Sequence, residues 1–430
     1  MAVTLEIRDF SCIKKASFKL SPLTVIIGPQ ASGKSVISKL TFFFLSLWND
    51  QFSSLEDGDD LEAFRLKIAE RFSQTFPLTA WGASKFSISF SAGAWSVTMT
   101  RGTKKGAVSD SLKIVFSDFL ADHYESLRTR LESMAKKAAP ERALVAMEYV
   151  WQLRQASEKV MAKELGRDFF PYQLFIPAGR SFFTNAGKAV MLLEQGNMVD
   201  PFVARFGRYF ANARDRMLTM RSSAVSSTPS GRIFEQLITE ILGGSVKRDR
   251  ASEYLEARDG RKIPFMVMSS GQQELIPLVL ALKYWEPFAP RRVGTSLMCI
   301  EEPEAHLFPS AQNRLVELLA LIVNSDPKHR SSLLITTHSP YVLAKLNNLI
   351  RAGALSDMEG ISKSSLERVV PKHAWLAPGI VSAFGLEDGV LTDITDQTGL
   401  IDGEYLDRVS GEISEEFNKL LGLEFSSSST

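Results

Sequence analysis

Three short stretches carry residue types suited to phosphate chemistry. "GPQASGKS" (28–35) follows the apolar run "LTVII" and sets Gly28, Gly33, Lys34 and Ser35 at the spacing G-x-x-x-x-G-K-[ST]. Glycine lets the backbone turn back so that successive N–H groups converge on phosphate oxygens. Gly28, Gln30, Ala31, Ser32, Gly33, Lys34 and Ser35 are therefore the candidate ATP contacts, with Lys34 for the β/γ-phosphates and the Ser35 hydroxyl for Mg²⁺. "SLMCIEEPEAHLFP" (296–309) reads as a buried strand ending in two acids. There Glu301 is suited to order the Mg²⁺ shell beside Ser35, and Glu302 to polarise the water that attacks the γ-phosphate. A surface helix cap is a poor account of adjacent carboxylates after "SLMCI". "LLITTHSP" (333–340) ends a second apolar strand in His338. A lone histidine is more often structural, but open α/β sheets bind ligands at the C-terminal ends of their strands.

The elements needed to position these groups are legible in outline. "VTLEIRDF", "KKASFKL" and "LTVII" read as three strands, and a helix from Ser35 to about Trp48 leaves the phosphate loop with its N-terminus facing the anion. After an acidic loop, "EDGDD", comes a helical stretch, then a β-hairpin around Gly93 (85–102). Residues 118–165 read as helix interrupted at Pro140, 172–183 as strand, and 187–219 and 231–242 as helices. Between the last two, "RSSAVSSTPSGR" reads as a loop. A helix over about 310–324 joins the two site strands, and "SSSST" at the end reads as disordered. Short buried strands alternating with helices predict an α/β class with a parallel or mixed sheet.

Composition excludes other classes. The chain has 430 residues, 45% hydrophobic and 23% charged, which suits a globular protein of one large domain with an insertion or of two domains. A formal charge of +1 gives no global field for attracting nucleic acid. The basic clusters "RGTKK" and "KRDR" are explained as solvated turns. Cys12 and Cys299 make neither a disulfide framework nor a zinc site, and the five histidines lack metal-ligand spacing. The N-terminus lacks the apolar core of a signal peptide, and no apolar run approaches the ~20 residues of a membrane span. A cytoplasmic location without a membrane partner is expected.

"MSSGQQELIPLVLAL" (268–282) puts Ser-Ser-Gly-Gln at the start of a helix. Its order after the phosphate loop, followed by "EEPEAHLFP" and "LLITTHSP", resembles the ABC-type ATPase heads of transporters, SMC and Rad50 proteins and RecF. With "FIPAGRS" (175–181) and the tail "GLEDGVLTDITDQTGLIDGEYLDRVSGEI", the chain is similar to the OLD-like ATPases of bacterial anti-phage defence, the AAA15/AAA21 group. The resemblance covers almost the whole chain, with little from 50–170. It implies an ABC-type P-loop ATPase head with a mixed/parallel sheet, an N-terminal antiparallel β subdomain and a helical insertion. The head would span 1–50 and 170–350, the β-hairpin and helical insertion 50–170, and an α/β extension ending in an amphipathic helix 350–430.

The resemblance also assigns roles. His338 matches the switch histidine that bonds the γ-phosphate or the attacking water. Ser269, Ser270, Gly271 and Gln272 match the signature, which in relatives caps the nucleotide held by a second head; Ser270 stands where a glycine is usual. The transporter pattern has Asp at the position of Glu301, which puts metal geometry and turnover rate in question. Arg180 is suited either to sense the γ-phosphate or to pair structurally with an acid. Gln74 and Gln173 are candidates for the glutamine of the Q-loop. One phosphate loop and one signature imply a homodimer or higher even-numbered oligomer, sandwiching ATP and controlling a separate effector such as a Toprim nuclease in response to a phage-encoded trigger. The alternative is a DNA-repair head of the RecF or Rad50 kind acting on DNA, separable by stimulation of ATPase activity by DNA. OLD-family nucleases add a Toprim domain with an Asp-x-Asp pair. Here the only such pair, Asp57 and Asp59, lies in the acidic loop, and Asp393, Asp396, Asp402 and Glu404 form none. No nuclease activity of its own is expected. The tail offers instead an amphipathic helix at about 403–422, carrying Tyr405, Leu406, Val409, Ile413, Phe417 and Leu420, which packs on the chain's own head or docks a partner.

Overall fold

The computed structural model describes residues 3–104, 107–137, 143–186, 199–219, 228–249, 253–285, 295–325 and 331–402, with Glu415 and Lys419. Strands β1 (Val3–Phe10), β2 (Ile13–Lys19) and β3 (Leu23–Ile27) precede helix α1 (Lys34–Glu56). The hairpin around Gly93 forms as β4 (Phe86–Ala92) and β5 (Trp95–Lys104), and a further strand, β6 (Ala107–Phe116), extends it. Helices α2 (Leu61–Thr75), α3 (Asp118–Lys137) and α4 (Ala143–Leu165) complete this part of the chain.

The predicted strand over 172–183 is shorter than expected. β7 is Tyr172–Ile176. Pro177 has no N–H to continue the ladder and Gly179 takes φ +69°, so the backbone turns into helix α5 (Ser181–Ala186). Then come α6 (Pro201–Thr219), α7 (Pro229–Leu242) and a small antiparallel sheet of β8 (Gly244–Arg248), β9 (Glu253–Ala257) and β10 (Lys262–Pro264), which patterning does not reveal. Its strands are short and mostly half-exposed, so they lack an apolar alternation. Helix α8 (Ser270–Tyr284), β11 (Ser296–Glu301), α9 (Pro309–Asn324), β12 (Ser331–Thr337), α10 (Pro340–Ser356), α11 (Lys363–Val369), β13 (Val381–Glu387) and β14 (Val390–Asp393) follow. Residues 187–198, 220–227 and most of 403–430 fall outside the described residues, and with them the start of the 187–219 helix, most of the 221–232 loop, the amphipathic tail helix and "SSSST".

Eleven described strands form one sheet in the order β6-β5-β4-β1-β2-β14-β13-β3-β12-β11-β7. From β13 to β7 the neighbours are parallel, and from β2 to β6 they are antiparallel. The 85–102 hairpin and the C-terminal β13 therefore build onto the same sheet as the phosphate-loop strand. The parallel strands are apolar on both sides because both faces are covered. Leu23, Val25, Ile27, Met298, Ile300, Leu333 and Ile335 join a core with α8, α9 and α10. Ile26, Leu297, Cys299 and Leu334 alternate into a second core with the aromatic face of α1. No helix among the described residues is long and apolar enough to cross a membrane.

Candidate active site

Parallel register gathers the sequence-predicted groups. Glu301 lies opposite Thr336, Thr337 opposite Ile27, and Ile300 opposite Ile176. The phosphate loop, the 177–180 turn, Glu301–Glu302 and His338 thus emerge at the C-terminal ends of neighbouring strands, where such sheets bind ligands. In the loop, Gly33 has φ +105° and Ala31 φ +61°. A Cβ on Gly33 would come within 2.6 Å of Cys12 Sγ, and one on Gly28 within 2.4 Å of the Leu386 carbonyl. Glycine is thus dictated at both motif positions, by space as well as by φ at Gly33. α1 starts at Gly33 without a side-chain cap, leaving its first N–H groups for an anion. Lys34 is almost fully buried and donates to the carbonyls of Gly28 (2.8 Å) and Pro29 (2.7 Å). Burial lowers its pKa, opposed by Glu302 and Glu304. The loop thus holds an ammonium in its own mouth, and Ser32 adds a buried hydroxyl without a partner. Beside it opens a cleft of about 510 Å³ lined by Cys12, Pro29, Gln30, Ala31, Ser32, Glu387, Asp388 and Gly389. The C-terminal hairpin supplies one wall.

Glu301 ends β11 buried, with Oε2 accepting from the Ala178 N–H at 3.3 Å and Oε1 facing no partner. Burial raises its pKa, while Lys39, the nearby Ser35 hydroxyl and the Ala178 N–H oppose the rise. An orphaned carboxylate oxygen beside a hydroxyl is a hard-donor pair that fits Mg²⁺, which keeps waters and substrate oxygens in its remaining positions. No larger cluster of ligating side chains is present among the described residues, and a site of this kind does not need one.

Glu302 adopts φ +43°, an uncommon conformation for a non-glycine residue, and its N–H donates to the Thr336 carbonyl at 2.9 Å. Its Oε2 sits 3.4 Å from His338 Nε2. The hydrogen bond from His338 lowers the Glu302 pKa against the effect of burial, and the same contact raises that of His338. Each favours the charged form of the other, so Glu302 stays an ionised proton acceptor with its orientation fixed.

Glu304 belongs with them, although sequence reasoning assigned it no role. It is buried, and its Oε1 accepts from Thr337 Oγ1 (2.5 Å) and from the His338 N–H (3.2 Å). The signal was available as a third acid in "EEPE". Glu304→Ala is expected to orphan two donors, the buried Thr337 hydroxyl and the part-buried His338 N–H, and lower stability by about 1–3 kcal/mol, read by denaturant unfolding. Turnover should fall with it as His338 loses its anchor.

Ser269 caps α8 in a reciprocal capping box with Gln272, and Ser269 and Ser270 are exposed. Gly271 is required here: a Cβ would lie 2.7 Å from the His306 carbonyl, so the start of α8 packs directly on the turn that follows Glu301 and Glu302. Arg180 is wholly buried, and every guanidinium nitrogen bonds a backbone carbonyl. Its fully enclosed position corresponds to the structural alternative, pairing with Glu274 at 3.7 Å, and not to a phosphate sensor. Neither glutamine reaches the site. Gln74 is exposed on α2, and Gln173, at the opposite end of β7, bonds the carbonyls of Leu45 and Phe170. Asp57 and Asp59 both pair with Lys67.

The strand ending in His338 lies between the phosphate-loop strand and the carboxylate strand, and a serine-capped helix turns its first residues outward. Fold and site together are those of an α/β domain that presents a phosphate-loop motif, a buried carboxylate and a histidine at the C-terminal ends of neighbouring parallel strands. Residues 158–344 match the family described as "AAA domain, putative AbiEii toxin, Type IV TA system". That segment holds Arg180, Ser269, Glu301, Glu302 and His338, while the phosphate loop precedes it. Among solved structures, the chain is similar to the SMC head domain from Thermotoga maritima, with 14% identity, 92% of this chain and 98% of that one covered, and TM-score 0.36. An SMC head bound to the C-winged helix domain of ScpA gives 13%, 92%, 98% and 0.37. The recombination mediator protein RecF gives 12%, 91%, 98% and 0.31. No curated protein matches the chain.

Proposed function

We infer that this chain is an ATP-binding and ATP-hydrolysing molecular switch of bacterial anti-phage defence, of the kind represented by the ATPase subunit of the PARIS system. Two copies sandwich ATP between the phosphate loop of one and the Ser269–Gln272 signature of the other. Their closure controls a separate effector, for which a Toprim nuclease is our candidate, and a phage-encoded trigger starts the response. The chain itself cuts neither DNA nor RNA. In each site the loop N–H groups and Lys34 hold the phosphates, Glu302 takes the proton of the attacking water, and His338 orients Glu302. Mg²⁺, held by Ser35 and Glu301, would supply charge neutralisation at the phosphates.

One observation carries the two-copy reading. Ser269 and Ser270 are exposed, Met266 (74% exposed) and Val267 (70%) stand just before them in the chain, and Phe308 (77%) follows the His306–Leu307 turn that packs on Gly271. Large apolar side chains exposed together beside a polar anion-binding helix start suit a surface that is covered when the dimer closes. Phe308→Asp and Ser269→Arg are each expected to keep nucleotide affinity within about threefold, since neither residue lies in the chain's own loop, while weakening closure by about tenfold or more. Light scattering with and without ATP, in a hydrolysis-blocked background, reads this. An ATP-dependent dimer that survives both changes removes the shared-site model. Strong stimulation of ATPase activity by duplex DNA would instead favour the repair-head alternative.

A further inference from the structure

Inside one protomer, a buried arginine hydrogen-bonds both the signature helix and the turn bearing Glu302. On one side, the 177–186 segment is fastened to α8. The Arg180 and Ser181 N–H groups donate to the two Glu274 carboxylate oxygens at 2.8 and 3.0 Å. Arg180 Nε donates to the Glu274 carbonyl at 3.0 Å. Pro277 lacks the N–H that would bond the Gln273 carbonyl four residues earlier, and Thr184 Oγ1 donates to that carbonyl instead at 2.7 Å. On the other side, the same guanidinium donates to the carbonyls of Glu301 (2.7 Å) and Glu302 (2.9 Å). These are the residues where the backbone enters the left-handed conformation at Glu302. Arg180 and Glu274 are 0% and 3% exposed. A charge pair so enclosed is costly to desolvate, and apolar residues of the same volume often serve stability as well. Its fork instead fits two carbonyls of a strained turn, a task that lysine's single ammonium does not reproduce.

We propose that Arg180 and Glu274 are a positioning pair that transmits engagement of the signature to the Glu302 turn, so that closure at one ATP site sets the geometry of hydrolysis at the other. This rests on the two-copy reading above. Neither residue touches nucleotide. Each acts through the placement of Glu302.

Arg180→Lys, Glu274→Gln and the double variant test it in the full chain, with steady-state ATPase kinetics, titration of a non-hydrolysable ATP analogue and thermal melting. A displacement of the Glu302 turn by about 1 Å is expected to lower kcat by about 100-fold, while analogue affinity changes less than about threefold. The double variant should be no slower than the slower single one, because both break one device. The dependence of rate on ATP concentration, expected to be cooperative in the wild type, should become hyperbolic. Thr184→Val removes one hydroxyl and serves should the charged variants not fold; a several-fold fall in kcat at unchanged affinity is expected. Wild-type kcat with cooperativity retained, or a loss confined to affinity, overturns the proposal. A wild type that hydrolyses ATP only as a monomer, without cooperativity, defeats the two-copy reading instead.

Discussion

Glu302→Gln is expected to lower ATP turnover by about 10³-fold with nucleotide affinity nearly unchanged, the range lost when a positioned general base is removed. The amide is close to isosteric, and its oxygen can still accept from His338 Nε2, which now lies 3.4 Å from Oε2. The Glu302 backbone is held by the Thr336 carbonyl and by Arg180, so the turn should persist. What disappears is the ability to take a proton from water. The protein should therefore bind ATP, close and remain closed, visible as a long-lived dimer by light scattering. A phosphate-release assay measures the first effect directly. Turnover at the wild-type rate would show that another residue activates the water and would take Glu302 out of the mechanism.

The second large effect is on binding. Lys34→Ala is expected to weaken ATP by about 3 kcal/mol, or ~100-fold, as for loss of one partner in an enclosed charge pair. Lys34 is 5% exposed and holds the Gly28 and Pro29 carbonyls, so its ammonium is already placed inside the loop before nucleotide arrives. Little ordering of that side chain remains to be done on binding. Removing it leaves phosphate charge to the backbone N–H groups alone. Titration calorimetry should show the loss, and the same variant should hydrolyse nothing at ATP concentrations that saturate the wild type. Unchanged affinity would exclude the 28–35 loop as the nucleotide site.

Local patterns made much of this molecule legible. Gly28, Gly33, Lys34 and Ser35 declared a phosphate loop because that geometry admits few residue types, and the tight contacts at both glycines give the reason. "LTVII", "SLMCI" and "SLLITT" announced buried strands, and a parallel sheet under helices requires burial on two faces. Ser269 to Gln272 announced a helix start, and the structure adds that Ser269 and Gln272 cap it, both partners lying within one turn. Each of these signals is decided by residues close together in the chain.

What the sequence did not determine depends on groups brought from far apart. Arg180 was compatible with phosphate sensing or with structural pairing until the fold enclosed it among carbonyls of residues 177, 274, 301 and 302. Glu304 gained a role only when β12 brought Thr337 and the His338 N–H to its carboxylate. The C-terminal segment looked like an appendage, yet β13 pairs beside β3 and its following turn walls the cleft at the phosphate loop. Spacing and periodicity report what one element needs from its own neighbours. Which carbonyl meets a buried arginine, and which strand lies between the loop and the carboxylates, is set by strand order, and strand order is a property of the whole sheet.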